Sequence, residues 1–285
     1  MRILRLPVDL GGMICDYDRI FEIVESKKDL FKPANKLQAA IGRVAVISDG
    51  AHAFGSVKNG VKAGAIADFT SFSFHAVKNL TTAEGGALAW RNIDGVDNDE
   101  LYHELQLYSL HGQSKDALSK NKAGAWEYDV VYPAYKCNMT NINAAIGIAQ
   151  LERYEGLLER RRVLNERYEA ALEKLGIKVM HHYTEGMTST GHLYLVRIPG
   201  ASVDDRNAVI QDMAEREIAC NVHYKPLPMM TAYKNLGFDI ADYPNAYHQY
   251  ENLISLPIFS TMTDEQNEYV IENFVDILKK RGLIK

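Results

Sequence analysis

Ser73-Phe-His-Ala-Val-Lys-Asn-Leu-Thr-Thr-Ala-Glu-Gly-Gly86 places one lysine, Lys78, in a loop between two apolar runs, Phe69–Phe74 and Gly86–Trp90. Both runs have the length and composition of β-strands. Small and hydroxyl-bearing residues surround the lysine, and a lysine in such surroundings can lose its proton and attack a carbonyl carbon. Most lysines near strand ends are simply solvated, so the loop alone leaves both interpretations open.

A second motif lies upstream of this loop. Val44-Ala-Val-Ile-Ser-Asp49 is a short β-branched run that ends in an acid, which predicts a buried parallel strand. Ligands of open α/β sheets bind at the carboxyl ends of strands, so we expect Asp49 and Lys78 to face the same crevice. For pyridoxal 5′-phosphate (PLP) this pairing has a specific use. The acid keeps the pyridine nitrogen protonated, while the lysine bonds to the aldehyde.

The chain resembles the DegT/DnrJ/StrS family of PLP-dependent nucleotide-sugar aminotransferases. Six motifs in the family's order carry this resemblance: Asp49-Gly-Ala-His52, Ser73-Phe-His-Ala-Val-Lys-Asn79, Glu84-Gly-Gly86, Tyr135–Leu151, His223-Tyr-Lys-Pro-Leu-Pro228 and Ser255-Leu-Pro257. The resemblance extends from Pro7 to the C-terminus. It implies an α/β protein of PLP-dependent transferase fold type I, with a mainly parallel sheet in a truncated large domain and a smaller α+β C-terminal domain.

The resemblance also implies a role for five residues. Lys78 corresponds to the lysine that bonds to the cofactor and carries protons, and Asp49 to the partner of the pyridinium nitrogen. His52 corresponds to a residue that lies against the cofactor near its ring oxygen. Ser73 is implied as a phosphate ligand, since a hydroxyl can donate a hydrogen bond to an anion. Asn138 corresponds to an asparagine that crosses a dimer interface to the phosphate of the neighbouring subunit.

The implied activity is amino transfer from an amino acid, glutamate, to a keto group of a nucleotide-linked sugar, in polysaccharide or glycoconjugate biosynthesis. Sugar dehydratases of the family have histidine where this chain has Lys78, so lysine favours amino transfer. The resemblance implies a homodimer that binds nucleotide-sugar and amino-acid substrates. His223, Tyr224 and Lys225 are candidates for contacts with the substrate. Lys225 either pairs with a diphosphate or is a plain surface lysine.

Each of these residues also has a purely structural interpretation. Asp49 can be a helix N-cap, and Ser73, which alternates with two phenylalanines, can face away from the core. Asn138 can be a turn residue, and the Glu84-Gly-Gly86 motif can serve only to let the backbone turn. His75 is expected to pack or to support its neighbours. The shared order of the motifs favours the functional interpretation, most strongly for Lys78 and Asp49.

Compared with the family, the sequence begins inside the fold, just before the run Leu4–Leu10. The family's preceding segment includes a helix N-terminus suited to phosphate and an aromatic residue that stacks on the pyridine. We therefore expect unpaired strand edges, weak PLP binding and lower stability than in a full-length relative. The alternative functions are a catalytically impaired remnant, one half of a complementing pair, or a regulatory protein that binds without turnover.

Composition sets the remaining expectations. The 285 residues are 47% hydrophobic and 24% charged, which is typical of a globular protein of more than one domain. The net charge of -5 gives no reason to expect nucleic acid as a partner. Cys15, Cys137 and Cys220 lack the spacing of metal ligands, so we expect no metal site and a reducing, cytoplasmic location. No apolar run is long enough to predict a membrane span.

The chain is predicted to divide into a partial PLP-binding large domain, 1–157, and a bridging helix with a small α+β domain, 158–285. The large domain is expected to hold one contiguous block of four strands: Arg5–Leu10, Val44–Ser48, Phe69–Phe74 and Gly86–Trp90. The small domain is expected to hold two strands, His192–Ile198 and Asn221–Tyr224, and two capping boxes, Ser202 with Asp205 and Thr263 with Gln266. A helix is predicted over Gln150–Leu175, with Gly176 as its C-cap. The segment Gln113–Pro133 is predicted to be an active-site or interface loop, or mobile surface.

Overall fold

A computed structural model describes residues 6–114 and 127–285 of the chain. The α-helices are α1 (Tyr17–Glu25), α2 (Lys36–Ile41), α3 (Asn98–Ser109), α4 (Asn141–Leu151), α5 (Tyr154–Leu172), α6 (Val203–Glu215), α7 (Thr231–Asn235), α8 (Pro244–Tyr250) and α9 (Asp264–Lys280). The strands are β1 (Ile47–Asp49), β2 (Val57–Lys58), β3 (Val61–Lys62), β4 (Phe69–Ser73), β5 (Gly86–Trp90), β6 (Lys178–Val179), β7 (Tyr183–Thr184), β8 (Met187–Thr188), β9 (Tyr194–Arg197) and β10 (Leu253–Leu256).

The N-terminal sheet has the strand order β1-β4-β5. β1 pairs with β4 in parallel, β4 pairs with β5 antiparallel, and Val8 adds an isolated parallel bridge to Asp49. The four predicted segments are therefore neighbours in one block. The predicted strand Arg5–Leu10 is wrong in extent, because the chain turns at Leu10–Gly12 into a 3-10 helix in which Gly11 has a φ of 67°. Arg5 lies outside the described residues.

The loop between β4 and β5 carries Lys78. Two backbone hydrogen bonds close its base: Phe74 N–H donates to Gly85 O at 2.8 Å, and Thr82 N–H donates to Phe74 O at 2.9 Å. A Cβ atom on Gly86 would lie 2.6 Å from the carbonyl oxygen of Phe72, so the close approach of β4 and β5 requires glycine there. Gly86 therefore has a structural role, and the motif marks where the lysine loop ends and β5 begins.

The C-terminal core forms between helices and an antiparallel sheet of order β10-β9-β6. Its fully buried side chains include Leu164 and Leu172 of α5, Val196 of β9, Ile254 of β10 and Phe274 of α9. The continuous helix predicted over Gln150–Leu175 is wrong, because α4 ends at Leu151 and α5 begins at Tyr154. The predicted stop is confirmed, since a 3-10 turn over Glu173–Leu175 ends at Gly176, which has a φ of 78°.

Both predicted capping boxes are present. Ser202 and Asp205 cap the start of α6, and Thr263 and Gln266 cap the start of α9, each with reciprocal hydrogen bonds between side chain and backbone. The predicted strand Asn221–Tyr224 is wrong, since only an isolated bridge joins Asn221 to Ser255 there.

A small antiparallel sheet of order β3-β2-β8-β7 pairs residues from the two halves of the chain. The two main hydrophobic clusters, however, separate along the sequence: the buried members of one lie within residues 14–67, and those of the other within residues 164–278. The domain boundary at 157/158 stays a prediction. Most of the predicted loop Gln113–Pro133 lies outside the described residues. No helix in the described part has both the length and the apolar character needed to cross a membrane.

Candidate active site

Lys78 lies half-buried on the loop that joins β4 to β5. Its backbone N–H donates to His75 O at 2.9 Å, which closes a turn and fixes where the side chain leaves the loop. Burial lowers the pKa of the Lys78 amine, and the carboxylate of Asp49 partly opposes this shift. Because the neutral amine is the nucleophilic form, this environment favours attack on a carbonyl carbon.

Asp49 ends β1, and its backbone is held on one side by Val8 and on the other by β4. Its Oδ1 accepts a hydrogen bond from the Ala51 N–H at 3.1 Å, while no hydrogen bond from the described residues reaches its Oδ2. Asp49 and Lys78 act on each other electrostatically, yet no nitrogen–oxygen pair between them lies within the 4.0 Å of an ion pair. The two charges are therefore neighbours with space between them.

His52 is buried, with 7% of its surface exposed, and follows the turn after β1. The Gly11 N–H donates to its Nδ1 at 3.1 Å. Burial, followed by the positive charge of Lys78, lowers the pKa of His52 to about 4. The ring is therefore neutral at pH 7 with its proton on Nε2, which makes that nitrogen a hydrogen-bond donor toward a ligand.

Two residues that sequence reasoning missed brace this region. The buried His192, which precedes β9, has its Nδ1 2.8 Å from Asn79 Oδ1, and Asn79 Nδ2 donates to Thr190 O at 2.9 Å. The rings of His192 and His52 lie 4.4 Å apart between centroids. Burial, followed by the neighbouring His52, lowers the pKa of His192 to about 2, so its neutral ring donates from Nδ1 to Asn79. Asn79 follows Lys78 directly, so this pair ties the lysine loop to the C-terminal half.

No pattern in the sequence pointed to His192, because a lone histidine at the start of a predicted strand is ordinary. Asn79 was part of the quoted lysine motif, but the residue carried no assigned role. The adjacent glycines Gly11 and Gly12 were the feature of the sequence that could have drawn attention to this region, since the backbone of Gly11 contacts both His52 and His192. Both have positive φ values, 67° and 94°, and an adjacent pair of glycines is typical of a backbone held in an unusual conformation.

The segment predicted to contact substrate lies close to the same groups. His223 Nδ1 is 2.8 Å from Ser255 Oγ of β10, and the pKa of His223 is lowered by burial and then by Lys78. The ring of Tyr224 stacks toward His52, with 6.4 Å between centroids and 23° between planes. Burial and then the Asp49 carboxylate raise the pKa of Tyr224. Lys225 is exposed.

The two remaining predicted site residues, Ser73 and Asn138, make no hydrogen bond to Lys78, Asp49 or His52 in the described structure. Ser73 ends β4, and its Oγ accepts a hydrogen bond from the His75 N–H at 3.3 Å, at the entrance to the lysine loop. Asn138 is exposed, and its Oδ1 accepts a hydrogen bond from Lys136 Nζ. In residues 6–114 and 127–285, no hydrogen bond or ion pair joins Asn138 to Lys78, Asp49 or His52. The structure thus brings together Lys78, Asp49, His52, His223 and Tyr224.

These groups suit the chemistry of PLP. A carboxylate with a free oxygen, a neutral histidine that donates from Nε2 and an amine with a lowered pKa are the groups that this aldehyde-bearing pyridine requires of a protein. Asp49 and Lys78 act on each other electrostatically without forming an ion pair, as two groups that bind opposite ends of one ring would.

Comparison with known proteins decides the family. The model of the DegT/DnrJ/EryC1/StrS aminotransferase family matches residues 5–275. The chain belongs to this family. Its members depend on PLP, which agrees with the cofactor expected from the sequence. Fold type I is likewise confirmed, as the similar solved structures show.

Among solved structures, the chain is similar to the PMP-form of the putative sugar aminotransferase Spr1654 from Streptococcus pneumoniae. The TM-score is 0.93 at 51% identity, covering 97% of this chain and 70% of that one. The PLP-form of the same protein matches with a TM-score of 0.92 at 50% identity, covering 96% of this chain and 68% of that one.

Among curated proteins, the uncharacterised protein MJ1066 of Methanocaldococcus jannaschii is 35% identical over 264 residues, covering 91% of this chain and 63% of the relative. The spore coat polysaccharide biosynthesis protein SpsC of Bacillus subtilis is 32% identical over 280 residues, covering 96% of this chain and 66% of the relative. The chain therefore spans a little under two thirds of the length of these curated relatives.

A cavity of about 530 Å³ lies elsewhere, between the end of α6 and the start of α9. Its lining is mainly apolar and includes Phe259, Met262 and Tyr269. None of the predicted site residues lines it, and it holds no pair of groups suited to bond with an aldehyde. The convergence of charged and titratable groups, rather than cavity size, therefore identifies the candidate active site.

Proposed function

We propose that this chain catalyses PLP-dependent amino transfer from glutamate to a keto group of a nucleotide-linked sugar. The observation that carries the proposal is the relation between Lys78 and Asp49, which act on each other electrostatically without forming an ion pair. Two relatives named as a sugar aminotransferase and a polysaccharide biosynthesis protein support a sugar as the acceptor.

Four residues of this chain would hold the cofactor. Asp49 Oδ2 would accept the hydrogen bond of the protonated ring nitrogen, and His52 Nε2 would donate to the ring oxygen. Lys78 Nζ would bond to the aldehyde carbon, and the Ser73 hydroxyl would donate to the phosphate. When bound, PLP supplies an electrophilic aldehyde and a ring that accepts electrons from the substrate carbon.

The lysine has two tasks at different times. As the nucleophile, Lys78 Nζ must be neutral, and its burial favours that state. With the cofactor and glutamate bound, the Lys78 amine would act as a general base, removing the proton from the substrate carbon that bears the amino group. The same amine, then protonated, would donate that proton during the later part of the transfer. The negative charge of Asp49 would stabilise positive charge on the ring nitrogen of the bound cofactor.

The substrate side of the site would be formed by the segment after α6. His223 and Tyr224 lie within electrostatic reach of Lys78 and Asp49, so we assign them to contacts with the sugar. The exposed Lys225 would pair with the diphosphate of the nucleotide, because an ammonium group binds phosphate oxygens as a point charge.

We also propose that the protein is a homodimer in which Asn138 crosses the interface to the partner's phosphate. The support is the exposed apolar surface of the helix that follows Asn138. In α4, Ile142 is 77% exposed, Ile148 61% and Leu151 52%. A surface of this kind marks a contact between protein chains. Light scattering should give twice the chain mass, and Ile148→Glu should shift it toward the monomer.

We also propose that the protein is cytoplasmic. Cys15, Cys137 and Cys220 are all free thiols, as expected of a protein in a reducing cytosol.

A spectroscopic titration tests the proposal. Purified protein mixed with PLP should develop a visible absorption band that free PLP lacks, and glutamate should bleach it. Lys78→Ala should remove the band, whereas Lys234→Ala, a change to an exposed lysine of α7, should leave it intact. Equal spectra for the wild type and Lys78→Ala would contradict the assignment of Lys78. A band that glutamate leaves unchanged would contradict glutamate as the donor.

A further inference from the structure

A buried arginine contacts the segment that carries His192. Arg161 lies in α5 with 6% of its surface exposed, and no carboxylate in the described part of the chain lies within 4.0 Å of its guanidinium group. Burial lowers the pKa of Arg161 to about 10, so the group still carries its positive charge at pH 7. A buried charge without an opposite partner is costly to keep, which makes Arg161 a candidate for a function beyond stability.

The guanidinium group binds two consecutive carbonyl groups. Arg161 Nη1 donates to Gly191 O and to His192 O, both at 3.3 Å. Gly191 has a φ of 58°, and a Cβ atom there would lie 2.1 Å from Asn165 Nδ2, so this position requires glycine. Asn165 Nδ2 also donates to Arg161 O at 2.9 Å, which ties the same turn to α5 a second time. Arg161 therefore holds a backbone turn that a larger residue could not form.

The turn Thr190–His192 is also bound to the loop that carries Lys78. Asn79 directly follows Lys78, and its Nδ2 donates to Thr190 O at 2.9 Å. Its Oδ1 lies 2.8 Å from His192 Nδ1. The three carbonyl groups of the turn are thus divided between two partners, the first binding Asn79 and the next two binding Arg161. The position of the lysine loop therefore depends on the position of this turn.

The same turn reaches the other side of the candidate site. Thr190 Oγ1 donates to the carbonyl oxygen of His52 at 2.6 Å, and the Thr190 N–H donates to Ser56 Oγ at 3.1 Å. One tripeptide therefore contacts the segments of both Lys78 and His52, and its backbone in turn is bound by Arg161.

We propose that Arg161 is a positioning residue for amino transfer, whose guanidinium group fixes the turn Thr190–His192 and thereby, through Asn79, the place of the Lys78 amine. This inference rests on the proposed function. In residues 6–114 and 127–285, no hydrogen bond or ion pair joins Arg161 to Lys78, so its action is indirect. A planar guanidinium group presents several donors in a fixed geometry and suits two neighbouring carbonyl oxygens, whereas an ammonium group is a point charge.

Loss of the guanidinium group should change the surroundings of Lys78. The two carbonyl groups would lose their donor, so the turn should relax and the lysine loop should move toward water. Because burial is what lowers the pKa of Lys78, that pKa should rise toward its ordinary value. The substitution leaves in place the titratable groups of the described chain that interact electrostatically with Lys78: Asp49, His52, His192 and His223. His192 should stay neutral, since burial and His52 are larger causes of its lowered pKa than Arg161.

The chain provides a matched control in Arg206 of α6. Its surface is 1% exposed, and in the described residues it likewise has no carboxylate within 4.0 Å. Its Nη1 donates to the carbonyl oxygens of Tyr250 and Leu253 at 3.1 and 3.3 Å. Within the described ranges, no hydrogen bond joins these partners to Lys78 or Asn79. Arg206→Met therefore removes a buried guanidinium group of the same kind without touching the lysine loop.

Reductive methylation of the full chain, freed of cofactor with hydroxylamine and dialysed, tests the proposal. Formaldehyde with cyanoborohydride labels neutral amines, so the labelling rate of Lys78 against pH, followed by mass spectrometry of its peptide, gives the pKa of its amine. In Arg161→Met the midpoint of this curve should rise by about half a pH unit or more, which is roughly a threefold loss of neutral amine at pH 7. In Arg206→Met the midpoint should equal that of the wild type.

The PLP band gives a second readout, and should form more slowly in Arg161→Met but at the wild-type rate in Arg206→Met. If the wild type forms no band while the labelling midpoint still shifts in Arg161→Met, the proposed function fails and the positioning role stands.

Thermal unfolding shows whether each variant folds. If Arg161→Met does not melt cooperatively, Arg161→Lys decides, because it keeps the charge but lacks the planar donors for two carbonyl groups, and its midpoint should also rise. A wild-type midpoint for Lys78 in the folded variant of Arg161 would overturn the proposal. So would equal shifts in Arg161→Met and Arg206→Met.

Discussion

Two carboxylates at opposite ends of neighbouring strands show how the same group serves two purposes. Asp68 precedes β4 and is almost fully buried. It accepts hydrogen bonds from Arg43 at 2.7 and 3.0 Å and from the Val46 N–H at 2.9 Å, and its Oδ1 lies 2.7 Å from Arg91. Asp49 ends β1, and its carboxylate accepts one hydrogen bond, from the Ala51 N–H, with no cation at ion-pair distance although Lys78 lies close by.

The two carboxylates differ in how many of their oxygen atoms already have partners within the chain. Burial works against ionisation of Asp68, but the hydrogen bonds from Arg43 and Val46 and the two arginine charges keep the pKa of that carboxyl below its usual range. Both guanidinium groups also lie over the ring of Phe21, at 4.8 and 4.7 Å from its centroid. Asp68 therefore has no capacity left for a ligand, whereas Asp49 retains one oxygen for it. A carboxylate whose oxygens are all hydrogen-bonded within the chain stabilises the fold, whereas one with an unpaired oxygen is available to bind a ligand.

The largest effect should come from removing the charge of Asp68. Asp68→Asn leaves the buried guanidinium of Arg43 without its buried carboxylate and with only the exposed Glu25 nearby, which should cost about 3–5 kcal/mol in the free energy of unfolding. Urea denaturation measures it. Asp276→Asn, which breaks an exposed pair with Arg216, should change the midpoint much less. Equal losses in the two variants would contradict the structural role assigned to Asp68.

Asp49→Asn should affect chemistry instead. Loss of the charge opposite the ring nitrogen should lower the rate of amino transfer by about 10²–10³-fold, as removal of one electrostatic group typically does. The urea midpoint should stay close to that of the wild type. A single-turnover assay with glutamate gives the rate. Unchanged turnover, or a loss of stability like that of Asp68→Asn, would erase the distinction between the two carboxylates.

The brace between the two halves should have an intermediate effect. Asn79→Ala leaves His192 Nδ1 and the carbonyl oxygen of Thr190 without a buried partner, which should cost about 1–3 kcal/mol in the free energy of unfolding. A double-mutant cycle with His192→Ala isolates the coupling. The PLP band should also form more slowly, because the loop that carries Lys78 loses its tie. Additive effects of the two substitutions would show that the residues do not act as a pair.

The smallest effect should be the pH dependence of the stability that Asp68 contributes. The lowered pKa of Asp68 contributes stability that is present above the unfolded value of about 3.9 and is lost as pH falls through the folded pKa. The difference in the free energy of unfolding between the wild type and Asp68→Asn should therefore shrink below about pH 4. Urea melts at pH 7 and pH 3.5 measure it. A difference that grows on acidification has the wrong sign for this account.

Local sequence patterns determined much of this architecture. The predicted strand Gly86–Trp90 has the same first and last residues as β5. Both capping boxes also occur where their spacing predicted them. The placement of Asp49 and Lys78 at neighbouring strand ends also followed from the sequence. These features depend on residues a few positions apart, or on the general rule that parallel strands end at one edge of a sheet.

The tertiary structure alone decided which distant residues meet. Asp68 with Arg43, His192 with Asn79 and His223 with Ser255 are separated by 25 residues or more, and no periodicity links them. The predicted strands Arg5–Leu10 and Asn221–Tyr224 failed for a related reason, since a strand persists only where a neighbour offers hydrogen bonds along its length. Propensity and spacing act within a turn or a strand, whereas partners across the fold depend on the path of the whole chain.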